Sequence, residues 1–542
     1  MKIPAVVLAD VAYEEAVVDE LSARNRFLPP PLAAWALRGN AEELAGRLET
    51  RMRSGFEPSP HDSVLARKAG RGSRPLPYIA LEDRLVYRAL VNVVKGRLPD
   101  LGGHGNYDAF ITSPLDVDGC EYVLKADVAA FYQYVDHERL VDEIVAQTGD
   151  DLAITAVVEL LEAGSGRRFG LPQMQAPSDV LADAYVDPIR RSLVRNGHLA
   201  FRYADDFRVP CASYSEALAS LELIERAAYE LGLVLNEAKT SSPRRSTYEQ
   251  SLSEVRDAEV QLFERLAVEG MTIEDFFASV GGEYSEDDEL GDEVGDDIEL
   301  PTLPGVGHDE ADPPEDAPEV VAPTSEQIAV AARVVEIWDG EEQSDVAWSG
   351  SVWSALLRKS LLTLESAQDP RAVASAISLL VREPHLTPQV STYLIALSRE
   401  HHEKVHDLLN ELCSTDIVSV WQSLWVAYLA GSVPGVSDKG AHVGWLHRQL
   451  DSQHHGVAAQ AALALARRRL LTVDAGARAY ERAPATHRPT AALALAAVHG
   501  AAGSEFVADD QVEAWLADFA RTQRWGRPRP KRRVVRKGPA RR

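Results

Sequence analysis

The chain has 542 residues, 45% of them hydrophobic and 7% aromatic, which is a globular composition too long for one ordinary core. No stretch approaches the run of about 18 apolar residues that spans a membrane. The opening MKIPAVVLADVAYEEAV is not a signal peptide, and Cys120, Cys211 and Cys413 lie too far apart for a disulfide framework or a paired-cysteine zinc site, so a cytoplasmic protein is expected.

The net charge is −27, but it is unevenly spread. Residues 283–319 hold sixteen acids and no base, while 521–542 hold eleven bases and no acid. The rest of the chain, outside these two segments, is acidic as well, so overall charge gives no argument for a nucleic-acid partner. Local surface does offer one: from Arg47 to Arg97 there are eleven basic residues against five acidic.

In chain order, residues 1–245 mix helical periodicity with strand-like runs such as YVLKADV and the pair FRYA and FRVPC, an α+β pattern. Residues 246–282 read as a helical extension. The acidic, Pro- and Gly-containing stretch 283–324 reads as a disordered linker. From Ser325 to residue 520 the text is Ala- and Leu-rich with helical spacing, broken by turn signals such as SAQDP and GSVPG. The hexapeptide AALALA recurs at 461–466 and 491–496, which suggests an all-α domain of HEAT-like repeats. The tail 521–542 has no apolar periodicity and is expected to be disordered and basic.

The chemistry concentrates in FRYADDFRV, residues 201–209. Asp205 and Asp206 stand side by side at the tip of a strand–turn–strand, where a simple turn would use Asn-Gly or Asp-Gly. Burying two adjacent carboxylates is costly unless something positive faces them. A third carboxylate, Asp127, ends the strand-like run YVLKAD upstream. Three acids in this order can hold two divalent cations, the arrangement that phosphoryl transfer to a nucleotide needs.

The set RGSRPLPYIALEDRLVYRAL (71–90), LKADVAAFYQYVDH (124–137), GLPQMQAPSDVLADAYVDPI (170–189), FRYADDF (201–207) and LGLVLNEAKT (231–240) resembles the ordered motifs of reverse transcriptases. The resemblance implies an α+β right-hand polymerase of fingers and palm over residues 1–245, with a thumb-like element in 246–282. It implies that Asp127, Asp205 and Asp206 hold two Mg²⁺ ions, with Mn²⁺ as a substitute. Tyr203 would contact the primer end, and Tyr132 would exclude a ribose 2′-OH. Gln173 and Ser178 would lie beside the incoming nucleotide. Arg74, assisted by Lys68 or Arg71, would grip the triphosphate, and Lys239 would protonate the departing pyrophosphate. The implied partners are deoxynucleoside triphosphates, an RNA template or associated noncoding RNA and the DNA product; self-association is left open, and no membrane is involved.

Several of these residues also have a bland role, though the three aspartates have no comparable one. Tyr132 and Phe131 read equally as core aromatics, Arg74 and Lys68 as a solvated basic face, and Lys239 as a residue at a helix–strand junction. The sequence departs from the family at Met174, where glycine is usual after GLPQ, and at Pro177 and Asp179. No later motif resembles an RNase H, integrase, maturase or endonuclease domain. A polymerase core followed by helical repeats resembles bacterial antiphage reverse transcriptases, including those of abortive infection, in which synthesis uses an RNA template or starts untemplated from a protein hydroxyl. The alternatives are an enzyme of a mobile or housekeeping element, or a non-catalytic nucleic-acid binder. Tyr393, Tyr428 and Tyr480 are conceivable priming residues, though each reads first as a packing aromatic. Arg399 with His406 suggests a ribonuclease spacing and His401, His402 and His406 a metal cluster, both equally a solvated helix face.

Overall fold

The structure is a computed structural model that describes residues 1–70, 72–101, 106–254, 323–340, 349–414, 419–434, 440–502 and 506–522. Arg71, the acidic segment 283–319 and residues 523–542 of the basic tail lie outside the described residues, as does most of the thumb-like segment, of which 246–254 are helical. Arg521 and Thr522, assigned above to the disordered tail, instead close the helix Gln511–Thr522.

The N-terminal part is mixed α/β. A hairpin of β1 (Asp62–Arg67) and β2 (Ser73–Tyr78) pairs antiparallel, with Asp62 opposite Tyr78 at its open end and Ala66 opposite Arg74 near its turn. A second sheet takes the order β3 (Tyr122–Asp127), β5 (Asp206–Cys211), β4 (Phe201–Tyr203), all antiparallel. Alternation sorts its side chains onto two faces. Leu124, Ala126, Phe207 and Val209 are fully buried on one face, where helix Tyr214–Glu230 packs against β3 and β5. Lys125, Asp127, Asp206 and Arg208 share the other face through the pairs Lys125↔Arg208 and Asp127↔Asp206. The segment after the helix returns along β3, bridging Val128 to Leu235 and Lys125 to Ser241.

Helix Ala176–Arg195 lies against Tyr214–Glu230 and carries Pro188 in its interior. A proline there cannot donate to the carbonyl four residues back. That carbonyl, Ala184, instead accepts from Gln147 Nε2 at 3.4 Å.

From Thr324 the described residues are helical without strands. Thr324 and Gln327 form a capping box that starts helix Ser325–Asp339, as the composition change at Ser325 predicts. Helices Gly350–Ser366, Thr387–Leu397, Val420–Ser432, His455–Arg467 and Arg488–Ala502 pack each upon the next, so the two AALALA segments lie on adjacent helices. Small residues allow the close approach: a Cβ added at Gly431 would lie 2.8 Å from the Ala464 backbone. This helical part docks on the N-terminal part, with Val420–Ser432 against β1 and Arg488–Ala502 against helix Leu32–Ala36. None of the described helices is long and apolar enough to cross a membrane. The three cysteines are buried and unpaired.

Candidate active site

Asp205 and Asp206 lie at and just after a two-residue hairpin turn. Tyr203 pairs with Asp206, so Ala204 and Asp205 form the tip. Ala204 has φ +46°, a left-handed conformation that an L-residue adopts at a cost of about 1 kcal/mol. The turn thereby projects the half-buried Asp205 beyond the sheet edge, while Asp206 is drawn in as the first residue of β5.

Asp206 stands directly across from Asp127 in the β3–β5 ladder. Like charges in that position repel, and both residues are at least nine-tenths buried. Cations on either side offset the repulsion. Lys239 Nζ lies 3.4 Å from Asp127 Oδ1, held there because Asn236 N donates to the Asp127 carbonyl at 2.7 Å and anchors the turn that carries the lysine. On the other side Arg208, two residues along the same strand face, reaches Asp206 Oδ1 at 3.3 Å. Burial alone would lower the pKa of Arg208, but the Asp206 carboxylate, Tyr248 and Tyr107 together raise it above its ordinary value. Phe110 covers that guanidinium at 5.0 Å.

A cavity of about 240 Å³ opens over this carboxylate face. Its wall brings together Arg74, Asp127, Tyr132, Gln173, Asp205, Asp206 and Lys239, from five separate sequence motifs, with Lys68, Gln133 and Asn236 beside them. Phe131 also touches it but is 2% exposed, a core aromatic as read from the sequence.

Tyr132 is 5% exposed, and its hydroxyl donates to Asp179 Oδ1 at 2.7 Å. Burial, then the Asp179 charge, raises the phenol well above its ordinary range, so it stays a donor. The ring is thus fixed at the cavity wall by a carboxylate from helix Ala176–Arg195. Asp179, a departure from the family pattern, has a structural role that sequence reasoning missed. Met174 takes φ +62°, the left-handed backbone for which glycine is suited, and its sulfur lies 3.6 Å from Arg74 Nη1. Arg74 is 1% exposed, so the solvated-face reading fails for it; its guanidinium rests 4.6 Å above the Phe27 ring.

Two sequence-named residues are not on the cavity wall. Ser178 is fully buried, and its Oγ shares a 2.9 Å hydrogen bond with Tyr87 Oη. Its side chain points into the core, because position 178 lies on the inward face of its helix. Tyr203 packs in an aromatic cluster, 5.3 Å from Tyr107 and 5.8 Å from Phe110. Arg208 and Arg202 were missed, although an arginine two residues beyond Asp206 on a strand was a readable signal. Arg202 is fully buried and bonds Asp183 and the Ala204 carbonyl, bracing the turn from behind.

The donor set on the wall is made of hard carboxylate oxygens, which suits Mg²⁺ or Mn²⁺. Among the described residues no three His, Cys, Asp or Glu side chains converge into a ready cage; Lys239 and Arg208 hold charge that cations would share. His401, His402 and His406 likewise form no such group. Tyr393 and Tyr428 are enclosed in the helical core, and Tyr480 donates to Asp509 and Glu513.

Residues 67–249 match the family described as reverse transcriptase (RNA-dependent DNA polymerase). That span includes every residue of the cavity wall. A search of curated proteins finds no match to the chain. The domain indicates an RNA-directed DNA polymerase, a nucleotidyltransferase.

Proposed function

We propose that the protein adds deoxynucleotides to a growing DNA 3′ end or a protein hydroxyl, copying RNA or proceeding without template, and that it serves bacterial antiviral defence. The observation that supports the polymerase reading is the convergence of residues from five motifs on one cavity beside the Asp127–Asp206 pair. In this reading Asp127, Asp205 and Asp206 hold two divalent cations, Mg²⁺ or Mn²⁺. Bound there, the ions would supply charge to stabilise the attacking and leaving oxygens. The chain's own residues do the rest. Arg74, with Lys68, grips the triphosphate; Gln173 lies beside the incoming nucleotide; the Tyr132 ring blocks a 2′-OH. Lys239, a half-exposed ammonium beside Asp127, donates its proton to the departing pyrophosphate. Ser178 acts through Tyr87 and the helix rather than on the nucleotide, and Tyr203 acts through the turn it precedes.

The defence role is supported by architecture: a reverse transcriptase domain is joined to a helical part whose main helices stack in sequence. The same stacking, and the adjacent AALALA helices, support HEAT-like repeats. Primer extension on an RNA template with wild type and Asp205→Asn tests the chemistry. Wild-type incorporation that the variant lacks is expected, and equal incorporation by both would end the assignment. Phage plating on cells expressing each form tests the role, with protection expected from wild type alone.

A further inference from the structure

The fingers hairpin does not hold Arg74 unaided. Phe27, in the N-terminal loop before helix Leu32–Ala36, presents its ring to the Arg74 guanidinium at 4.6 Å and its carbonyl to the helical part. Two indoles of helix Val420–Ser432 donate to that one carbonyl: Trp421 Nε1 at 2.6 Å and Trp425 Nε1 at 3.1 Å. Both tryptophans are at most 3% exposed. A carbonyl has two lone pairs, so the pair of indoles saturates it and fixes the Phe27 backbone.

The same helical part grips the hairpin a second time, at its open end. Asp62 and Tyr78 are register partners there. His487 Nε2 lies 2.9 Å from Asp62 Oδ2, and the Tyr78 ring rests edge-on against the His487 ring at 4.6 Å. His454 Nε2 adds a 3.2 Å contact to the Ser63 carbonyl. The hairpin that carries Arg74 is therefore clamped at its open end by His487 and His454, 425 and 391 positions from their partners, and its guanidinium is seated from the side by Phe27, which Trp421 and Trp425 hold in turn.

We propose that Phe27, Trp421 and Trp425 are positioning residues for the nucleotide site, through which the C-terminal helical part sets the orientation of Arg74. This rests on the reading of Arg74 as a triphosphate ligand. A guanidinium gains bidentate contact only in one plane, and the Phe27 ring below it restricts that plane. The helical part is then a component of the nucleotide site as well as a covering domain.

The test is primer extension with Trp421→Phe/Trp425→Phe, Phe27→Leu, Arg74→Lys and Phe27→Leu/Arg74→Lys, alongside template–primer affinity and thermal midpoint. Trp→Phe removes the N–H donors and keeps aromatic bulk; Phe27→Leu removes the ring and keeps the carbonyl. Each is expected to raise KM for the deoxynucleotide about threefold to thirtyfold, the span from an exposed to a buried cation–π contact, with template–primer affinity unchanged. In the Arg74→Lys background, Phe27→Leu should add less than about a further twofold, because the two share one contact. An unchanged KM, or effects of Phe27→Leu and Arg74→Lys that multiply fully, would overturn the proposal. If the tryptophan variant does not fold, Phe27→Leu decides the matter. Absence of incorporation by the wild type would instead condemn the polymerase reading, a separate and distinguishable failure.

Discussion

Tyr132 combines two properties that substitution can separate. Its ring supplies bulk at the cavity wall, and its hydroxyl makes the 2.7 Å bond to Asp179 that fixes the ring. Tyr132→Phe removes the bond and keeps the bulk. A hydrogen bond to a charged group contributes about 1.5–3 kcal/mol, and Asp179 is half-buried where water can replace the lost donor, so the loss should fall at the lower end. Tyr132→Ala removes a side chain that is 5% exposed, for which the cost of truncating a buried aromatic, about 3–5 kcal/mol, is the guide. If ring bulk excludes the 2′-OH, Tyr132→Phe retains the preference for deoxynucleotides and Tyr132→Ala admits ribonucleotides about tenfold or more better. The assay is the ratio of ribo- to deoxyribonucleotide incorporation on one template, with urea midpoints measured in parallel. A ratio that relaxes equally in both variants would show that the Asp179 bond, and not bulk, sets sugar choice. A ratio unchanged in both would place Tyr132 in the core and sugar selection elsewhere.

Asp205→Asn and Asp206→Asn should both abolish incorporation, but they differ in stability. Asp205 is half-buried at the turn tip, so its variant should unfold within about 0.5 kcal/mol of wild type. Asp206 neutralises the buried Arg208, and removing one partner of such a pair costs about 3–5 kcal/mol, which a retained amide oxygen reduces only in part; denaturant titration separates the two variants. Lys239→Ala should lower kcat about a hundredfold to ten-thousandfold with KM little changed if the lysine acts as an acid, as steady-state kinetics would show. In the helical part, burial and then Arg358 depress His385 to about 4, and its Nε2 pairs with Ser354 Oγ at 2.6 Å. A folded pKa below the unfolded 6.5 means that stability is complete above pH 6.5 and declines as pH falls toward 4. The loss is about 3 kcal/mol. His385→Gln should flatten that part of the midpoint-versus-pH curve, and an unaltered slope would refute the assignment.

What the sequence made legible was local and chemical. Strand β3 ending at Asp127 follows from YVLKAD, the hairpin follows from FRYA and FRVPC, and the wall residues follow from motifs that each occupy a few consecutive positions. Ser178 was misplaced because a motif gives proximity along the chain, and which face of a helix a residue takes depends on the packing of that helix against Tyr87. Asp179 was seen only as a departure, since its value lies in a bond to a residue 47 positions earlier. Met174 was legible only as a departure from glycine; its φ of +62°, in the left-handed region that glycine favours, is set by the fold.

The part that could not be read is the coupling between halves. Phe27 and Trp421 are 394 residues apart, and nothing in either neighbourhood marks them as partners. A buried indole must place its N–H, and a loop carbonyl next to a protein interior must be satisfied; each demand is common, and only the fold pairs them. The pairing bears on how the chain can be divided. A fragment ending near residue 254 would keep every cavity residue yet leave the Phe27 carbonyl without its two donors and Asp62 without His487. Exposing the surfaces of β1 and helix Leu32–Ala36 that the helical part now covers would add a hydrophobic penalty to those lost bonds. The helical part is therefore structurally continuous with the β1–β2 hairpin, and the motif-bearing span is less than the unit that holds Arg74 in place.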